Sequence, residues 1–251
     1  MDYRYNGCTH YKRKAQLLAP CCNQFFACRF CHDEAQTDPK KAHTLDRHSV
    51  ITIKCMLCNT EQDKTQTCAS CKETLGAYWC PICVLLDDED KGQFHCDRCG
   101  ICRIGGSANY SHCDRCGICM KIGAVAAHTC VANASRVNCS ICLEDLHTSR
   151  VPISFLPCGH SLHQPCMQSF LTSGANACPL CKRCAMSPEQ QQIMNLMLDA
   201  EIEAAPMPEE YRDKRVRIRC YECRAESEAP FHIFGLKCQG PECGSYNTVK
   251  I

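Results

Sequence analysis

Apolar and polar positions alternate in only a few short stretches of this chain. Val216-Arg217-Ile218-Arg219-Cys220 alternates strictly and predicts a strand, and the run from Ala229 to Cys238 reads as strand-like as well. One helix is predicted over 187–205. Ser187 supplies its N-cap, Pro188 its first position and Gln190 a capping-box partner, and Pro206 and Pro208 stop it. Ile193, Met194, Leu196, Met197 and Ala200 form an apolar stripe along it, expected to pack on a neighbouring zinc unit, with filling a partner's groove the alternative. No apolar run approaches the ~20 residues of a membrane-spanning helix. The polar, basic N-terminus lacks the apolar stretch and cleavage site of a secretion signal.

Composition explains why so little regular structure is visible. The chain has 251 residues, 29 of them Cys, and its 45% hydrophobic content is inflated by those thiols. What remains is too little for one large apolar core, so covalent or coordinate bonds must close the structure. With no export signal the compartment is taken as reducing, and the odd cysteine count fits disulfides poorly, so zinc is the expected staple. The spacing agrees: C-x2-C recurs along the whole chain with His interleaved, and two intervening residues let a tight turn aim both sulfurs at one ion.

The donors divide by region. Residues 1–75 carry Cys8, His10, Cys21, Cys22, Cys28, Cys31, His32, His43, Cys55, Cys58, Cys68 and Cys71, enough for three tetrahedral ions. Residues 76–136 carry Cys80, Cys83, His95, Cys96, Cys99, Cys102, His112, Cys113, Cys116, Cys119, His128 and Cys130, enough for three more. Here HCDRCGIC occurs twice, at 95–102 and 112–119. Adjacent His and Cys side chains point different ways, so they are expected to serve different ions, strung along the chain as a small spiral. The spacing leaves the pairing within both regions open. Residues 206–251 carry Cys220, Cys223, Cys238 and Cys243, read as a one-zinc ribbon on β-hairpins.

The most specific motif lies in 137–184: Cys139, Cys142, Cys158, His160, His163, Cys166, Cys178 and Cys181 in that order. It resembles the ligand set of a RING-H2 finger. The resemblance implies cross-bracing, with Cys139, Cys142, His163 and Cys166 on one ion and Cys158, His160, Cys178 and Cys181 on the other. Taken together, the donors would hold nine zincs, each worth about 10–16 kcal/mol apparent in small domains. Cys184, His48, His147 and His232 are left over and read as bystanders. Thiolates of this number turn the formal charge of +1 into an acidic holo protein, which argues against a nucleic acid as main partner. The basic cluster Lys12-Arg13-Lys14 reads as solvated surface.

Cys8-Thr9-His10-Tyr11, the HCDRCGIC repeat, SICLEDLHTSR from Ser140 and the closing GLKC…GSYNT together resemble the CHY-zinc-finger and RING-finger E3 ubiquitin ligases. The order also matches: CHY finger, CTCHY finger, RING, ribbon. Longer members of the wider group carry hemerythrin-like domains in front, and this chain, read from the CHY finger on, is expected to resemble the shorter members. One departure is Cys238-x4-Cys243, where the family ribbon closes with C-x2-C; it makes His232 a substitute ligand to test. The resemblance implies a small zinc-stapled multi-domain protein with little regular secondary structure: short β-hairpins, a RING ββα unit and one interdomain helix. It also implies nuclear and cytoplasmic placement, self-association, and recruitment of transcription-factor substrates through the N-terminal fingers and the ribbon.

A RING of this kind works by positioning a ubiquitin-charged E2 enzyme and needs no nucleophile of its own. Ile141, between the first two ligands, Pro179 and Leu180, after Cys178, and Leu171 are the expected E2 contacts. Lys182, directly after the last ligand, is the candidate linchpin between E2 and ubiquitin. A thioester-forming ligase would need a reactive Cys outside the zinc set, and Cys184 is the sole candidate. A peptide reader would want an aromatic cage, which the 7% aromatic content does not supply near the RING. An inactive RING on a multi-zinc scaffold, or a nucleic-acid or chromatin adaptor, is the alternative reading.

Overall fold

The computed structural model describes residues 7–38 and 40–251, and the chain divides into two compact units, Met1–Ser111 and His112–Ile251. In the first, β1 (Ala15–Ala19), β2 (Gln24–Phe26), β3 (Thr52–Cys55) and β4 (Glu61–Asp63) form an antiparallel sheet of order β2-β1-β3-β4. Ala15, Leu17 and Ala19 alternate inward along β1 and meet Ile53, Val50, Leu45, Leu75, Val84 and Leu86. The short helix α1 (Arg29–Glu34) starts at Cys28, whose sulfur caps it by accepting from the Cys31 N–H. Two hairpins follow: β5 (Tyr78–Cys80) with β6 (Leu85–Asp87), and β7 (Phe94–Cys96) with β8 (Ile101–Arg103).

The hairpin of β9 (Tyr110–Cys113) and β10 (Ile118–Lys121) lies at the division between the units and leads into α2 (Ile122–Val125). In the second unit, β11 (Ile153–Phe155), β12 (Ser161–His163) and α3 (Gln164–Thr172) form the expected ββα unit, over a core of Leu146, Leu156, Leu162 and Met167. The helix predicted from Ser187 is α4 (Pro188–Ala204), with both arms of its capping box formed. After α5 (Glu209–Arg212), β13 (Arg215–Cys220), β14 (Glu226–Pro230) and β15 (Thr248–Lys250) close a sheet of order β14-β13-β15.

Three expectations are corrected. The apolar stripe of α4 is not packed: Ile193, Met194, Leu196 and Met197 are exposed. The half-buried face is instead Gln191, Asn195, Leu198, Asp199 and Ile202, because polar pins hold the helix there. Lys237 Nζ and Tyr246 Oη both donate to Asp199 Oδ1, at 2.6 Å each, and Gln191 reaches Ser245. The run Ala229–Cys238 is strand only as far as Pro230, and the third strand comes from Thr248–Lys250. Arg13, expected at the surface, is 1% exposed and donates to the Ala27 carbonyl.

Candidate metal centres and docking face

Eight of the C-x2-C pairs, beginning at Cys55, Cys68, Cys80, Cys96, Cys113, Cys139, Cys178 and Cys220, share one turn. The residue after the second Cys has positive φ in every case: Asn59, Lys72, Val84, Gly100, Gly117, Leu143, Lys182 and Arg224. Its N–H returns to the carbonyl of the first Cys where it closes the turn, as in Leu143→Cys139 at 2.8 Å and Lys182→Cys178 at 2.9 Å. Amides inside the turns also point at sulfur: Leu57 N to Cys55, Cys83 N to Cys80 and Cys99 N to Cys96, each 3.4 Å, and Glu222 N to Cys220 at 3.3 Å. A backbone folded this way presents two sulfurs on one side and partly neutralises them once ionised. Val84 is the costly member, since a β-branched residue at φ 48 stores roughly 1–3 kcal/mol. Its burial in the first unit's core offsets that.

The turns bring the donors into fours. Cys8, His10, Cys28 and Cys31 converge, as do Cys55, Cys58, Cys68 and Cys71, then Cys80, Cys83, His95 and Cys102, then Cys113, Cys116, His128 and Cys130. A tetrahedron with zinc–sulfur bonds of ~2.3 Å has edges of about 3.8 Å. The separations fit: Cys8–Cys28 3.7 Å, Cys28–Cys31 3.6 Å, Cys55–Cys71 3.8 Å and Cys113–Cys130 3.6 Å. Cys102 joins His95 rather than staying with Cys99, so the overlapping C-x2-C-x2-C of the repeat is split between groups, and His95 and Cys96 part company as expected. Cys96 and Cys99 form the last knuckle of the first unit, while His112 and Cys119, 3.8 Å apart, sit in the second. Cys21 Sγ is 3.2 Å from His32 Nε2, and the His43 ring lies edge-on to His32 at 5.0 Å.

Five of the His ligands offer one nitrogen while a neighbour faces the other. Asp33 holds His32 Nδ1 at 2.8 Å, Glu34 holds His10 Nε2 at 2.9 Å, and Val125 O accepts from His128 Nδ1 at 2.7 Å. In both copies of the repeat the aspartate two residues on, Asp97 or Asp114, faces the outer nitrogen of His95 or His112 at 3.6 and 3.7 Å. Such carboxylate–imidazole pairs fix the tautomer that a metal ligand needs. Buried Arg13 sits in the field of Cys8, Cys28 and Cys31, a fixed counter-charge for three thiolates. The sulfurs themselves show that a cation is wanted. Their mutual hydrogen bond drives the Cys83 thiol down to about 5 and Cys102 up. A hydrogen bond between Cys58 and the Thr60 side chain takes the Cys58 thiol down to about 6, while burial pushes Cys55 up to about 12. Four thiolates this close ionise together only around a positive ion.

The segment 139–181 shows the cross-brace. Cys142 Sγ is 3.2 Å from His163 Nδ1, and Cys139 and Cys142 act on Cys166. Cys158 and Cys178 lie 3.5 and 3.7 Å from His160 Nδ1, and Cys181 acts on Cys158. The ribbon gathers its four sulfurs despite the longer Cys238-x4-Cys243 spacing: Cys220–Cys243 is 3.7 Å and Cys223–Cys238 is 3.6 Å. Gly240 permits this, because a Cβ there would stand 3.3 Å from Cys223 Sγ and 3.4 Å from Cys238 Sγ. His232 is no substitute ligand. Its Nε2 donates to the Ala205 carbonyl and its Nδ1 accepts from Phe234 N.

Family models match along the chain in the same order: CHY zinc finger at 8–78, Ring finger domain at 137–182 and Zinc-ribbon at 191–249. The E3 ubiquitin-protein ligase SRFP1 of Oryza sativa subsp. japonica is 40% identical over 98% of this chain and 91% of its own length. The E3 ubiquitin-protein ligase RZFP34 of Arabidopsis thaliana is 41% identical over 96% of this chain and 83% of its own. The zinc finger protein BRUTUS of Arabidopsis thaliana is 37% identical over 96% of this chain, which spans 19% of that protein. The chain belongs to the CHY-zinc-finger and RING-finger E3 ubiquitin ligase family. It is accordingly a zinc protein with a RING-type ubiquitin transferase module.

In this ligase, Ile141, Leu180 and Leu171 are exposed, at 43%, 53% and 42%, and Pro179 is half-buried. Lys182 is exposed on the positive-φ corner of its knuckle. Cys184 is buried, and burial pushes its thiol up, the wrong direction for a nucleophile. His147 is buried with Ser135, whose hydroxyl lies 3.4 Å from its Nδ1, and His48 Nδ1 meets the Ile82 carbonyl. Sequence reasoning missed Arg13, Asp33 and Glu34. The run Cys31-His32-Asp33-Glu34, with acids directly after a ligand, was the available signal for the last two.

Proposed function

We propose that this ligase receives a ubiquitin-charged E2 on Ile141, Pro179, Leu180 and Leu171, and that Lys182 bridges E2 and ubiquitin. The observation that carries the reading is the pairing of two knuckles of one design, at Cys139–Cys142 and Cys178–Cys181, each holding an aliphatic side chain in water. Solvent-exposed Ile and Leu on a rigid, metal-tied turn gain from docking what they lose by standing in water. The RING supplies orientation, holding the thioester where a substrate lysine attacks it. The bound zincs supply the rigidity; thirty-six donors correspond to nine of them per chain. Cys139, Cys142, His163 and Cys166 hold one RING ion, and Cys158, His160, Cys178 and Cys181 the other.

The CHY and CTCHY fingers and the ribbon recruit protein substrates, with transcription regulators the expected class and proteasomal degradation the expected fate. Placement in nucleus and cytoplasm, and self-association, belong to the same reading. The test is autoubiquitination by the holo protein with a panel of E2 enzymes, alongside elemental analysis. Activity with at least one E2 and about nine zincs are expected. Silence with every E2 would leave a non-catalytic scaffold.

A further inference from the structure

We propose that the ribbon clasps the last zinc turn of the RING and thereby positions Lys182, a reading that rests on the linchpin role given above. Three ribbon side chains reach the main chain of residues 181–184. Arg224 Nη2 donates to the Cys181 carbonyl at 3.3 Å. Asn247 Nδ2 donates to the Lys182 carbonyl at 2.8 Å. Glu222 Oε1 accepts from the Cys184 N–H at 2.6 Å, and its Oε2 lies 3.5 Å from Arg183 Nε.

The clasp is itself built rigidly. Asn247 Nδ2 also donates to Glu222 Oε1 at 2.7 Å, and the Asn247 carbonyl accepts from Tyr221 N at 2.9 Å. Glu222 stands between Cys220 and Cys223, so two metal-tied turns face one another through it. Lys182 is held on both sides: its N–H by Cys178 O within the RING, its carbonyl by Asn247 from the ribbon. Its positive φ is the one all eight knuckles share and comes from the zinc turn itself, so the ribbon's part is to fix the carbonyl side of the corner. Without the ribbon, the Lys182 carbonyl and the Cys184 N–H lose their partners, and the corner is left to the RING's own bonds, Cys178 N to Arg183 O at 2.7 Å and Ala185 N to Asn176 O at 2.8 Å. An amine on a four-carbon stem needs a fixed base to bridge two proteins, because its own rotamer freedom is otherwise large. Glu222, Asn247 and Arg224 are therefore positioning residues for ubiquitin transfer.

The experiment is single-turnover discharge of ubiquitin from a charged E2 to free lysine, with the zinc-loaded 251-residue chain titrated to saturation. Glu222→Ala and Asn247→Ala are expected to lower the maximal rate about three- to tenfold, leave the half-saturating concentration unchanged and keep the zinc content. Glu222→Gln, which retains a carbonyl acceptor for Cys184 N, should restore most of the rate. Combined with Lys182→Ala, the clasp variants should add no further loss. Full rate in both clasp variants while Lys182→Ala is slow overturns the clasp and leaves the linchpin standing. An inert Lys182→Ala overturns the linchpin, and the proposal with it. Additive losses overturn action through Lys182. Should Glu222→Ala lose zinc, Asn247→Ala decides alone.

Discussion

Truncating Ile141 to Ala tests the docking face most directly. Full burial of an Ile side chain stabilises by about 1.5–3 kcal/mol, and docking can gain only the part still in water. With 43% of the residue exposed, that part is roughly 0.7–1.3 kcal/mol. The variant should therefore weaken E2 binding about three- to tenfold. Leu180, at 53% exposure, scales to a slightly larger loss, and the double variant should fall roughly ten- to a hundredfold if the two sites act independently. The assay is lysine discharge from charged E2 across a range of ligase concentrations, where the half-saturating concentration rises and the plateau holds. Zinc content and melting temperature serve as controls, since Ile141 is absent from the RING's buried core. An unchanged half-saturating concentration in the double variant would refute the docking face.

Four further outcomes are expected. Gly159→Ala should lower the melting temperature steeply, costing about 2–5 kcal/mol: φ is +87, and a Cβ would stand 2.4 Å from the Thr129 carbonyl oxygen. A melt matching the parent would show that this junction yields. Cys184→Ser should leave ubiquitin transfer intact, with no thioester on the ligase in non-reducing gels; lost activity would restore the covalent alternative. His232→Ala should keep every zinc in elemental analysis, and loss of one ion per chain would overturn the four-sulfur ribbon site. Acid should strip metal. Burial pushes the Cys139 thiol up, but the N–H groups of Cys142, His163 and Ile141 outweigh it and bring the thiol down to about 6. A depressed value contributes stability that is complete above the ordinary thiol range and lost as pH falls through the folded value. A proton must also displace the bound ion, so zinc release followed with a chromogenic chelator should set in below that value and grow as the pH falls; retention that does not change with pH down to full acid unfolding would contradict thiolate ligation.

Much of this was legible in the chain because metal chemistry writes itself in short spacings. Cys139 to Cys181 announced the cross-brace, and Ser187-Pro188-Glu189-Gln190 announced where α4 starts. The pairing in the repeat was not legible, since Cys99 is equally spaced from Cys96 and Cys102 and only the fold sends Cys102 to His95. Arg13 reads as surface in Lys12-Arg13-Lys14, because nothing local shows that thiolates from Cys8, Cys28 and Cys31 surround it. The stripe of α4 misled for a related reason. Apolar spacing marks a face that could be buried, whereas Asp199, Lys237 and Tyr246, far apart in sequence, decide which face is. The contacts of Glu222 and Asn247 with the RING are long-range hydrogen bonds of single side chains, for which sequence has no period.

The bond from Cys184 N to Glu222 joins residues 38 apart in sequence. The stretch between them, α4 included, thus leaves and returns to the same spot, like the bow of a padlock. Its 17-residue helix is no yardstick between RING and ribbon. Lengthening the exposed link around Pro206 and Pro208 should be tolerated, since doubling a closed loop adds only ~0.6 kcal/mol. A protease nick in that link would yield two fragments that still travel together on a sizing column.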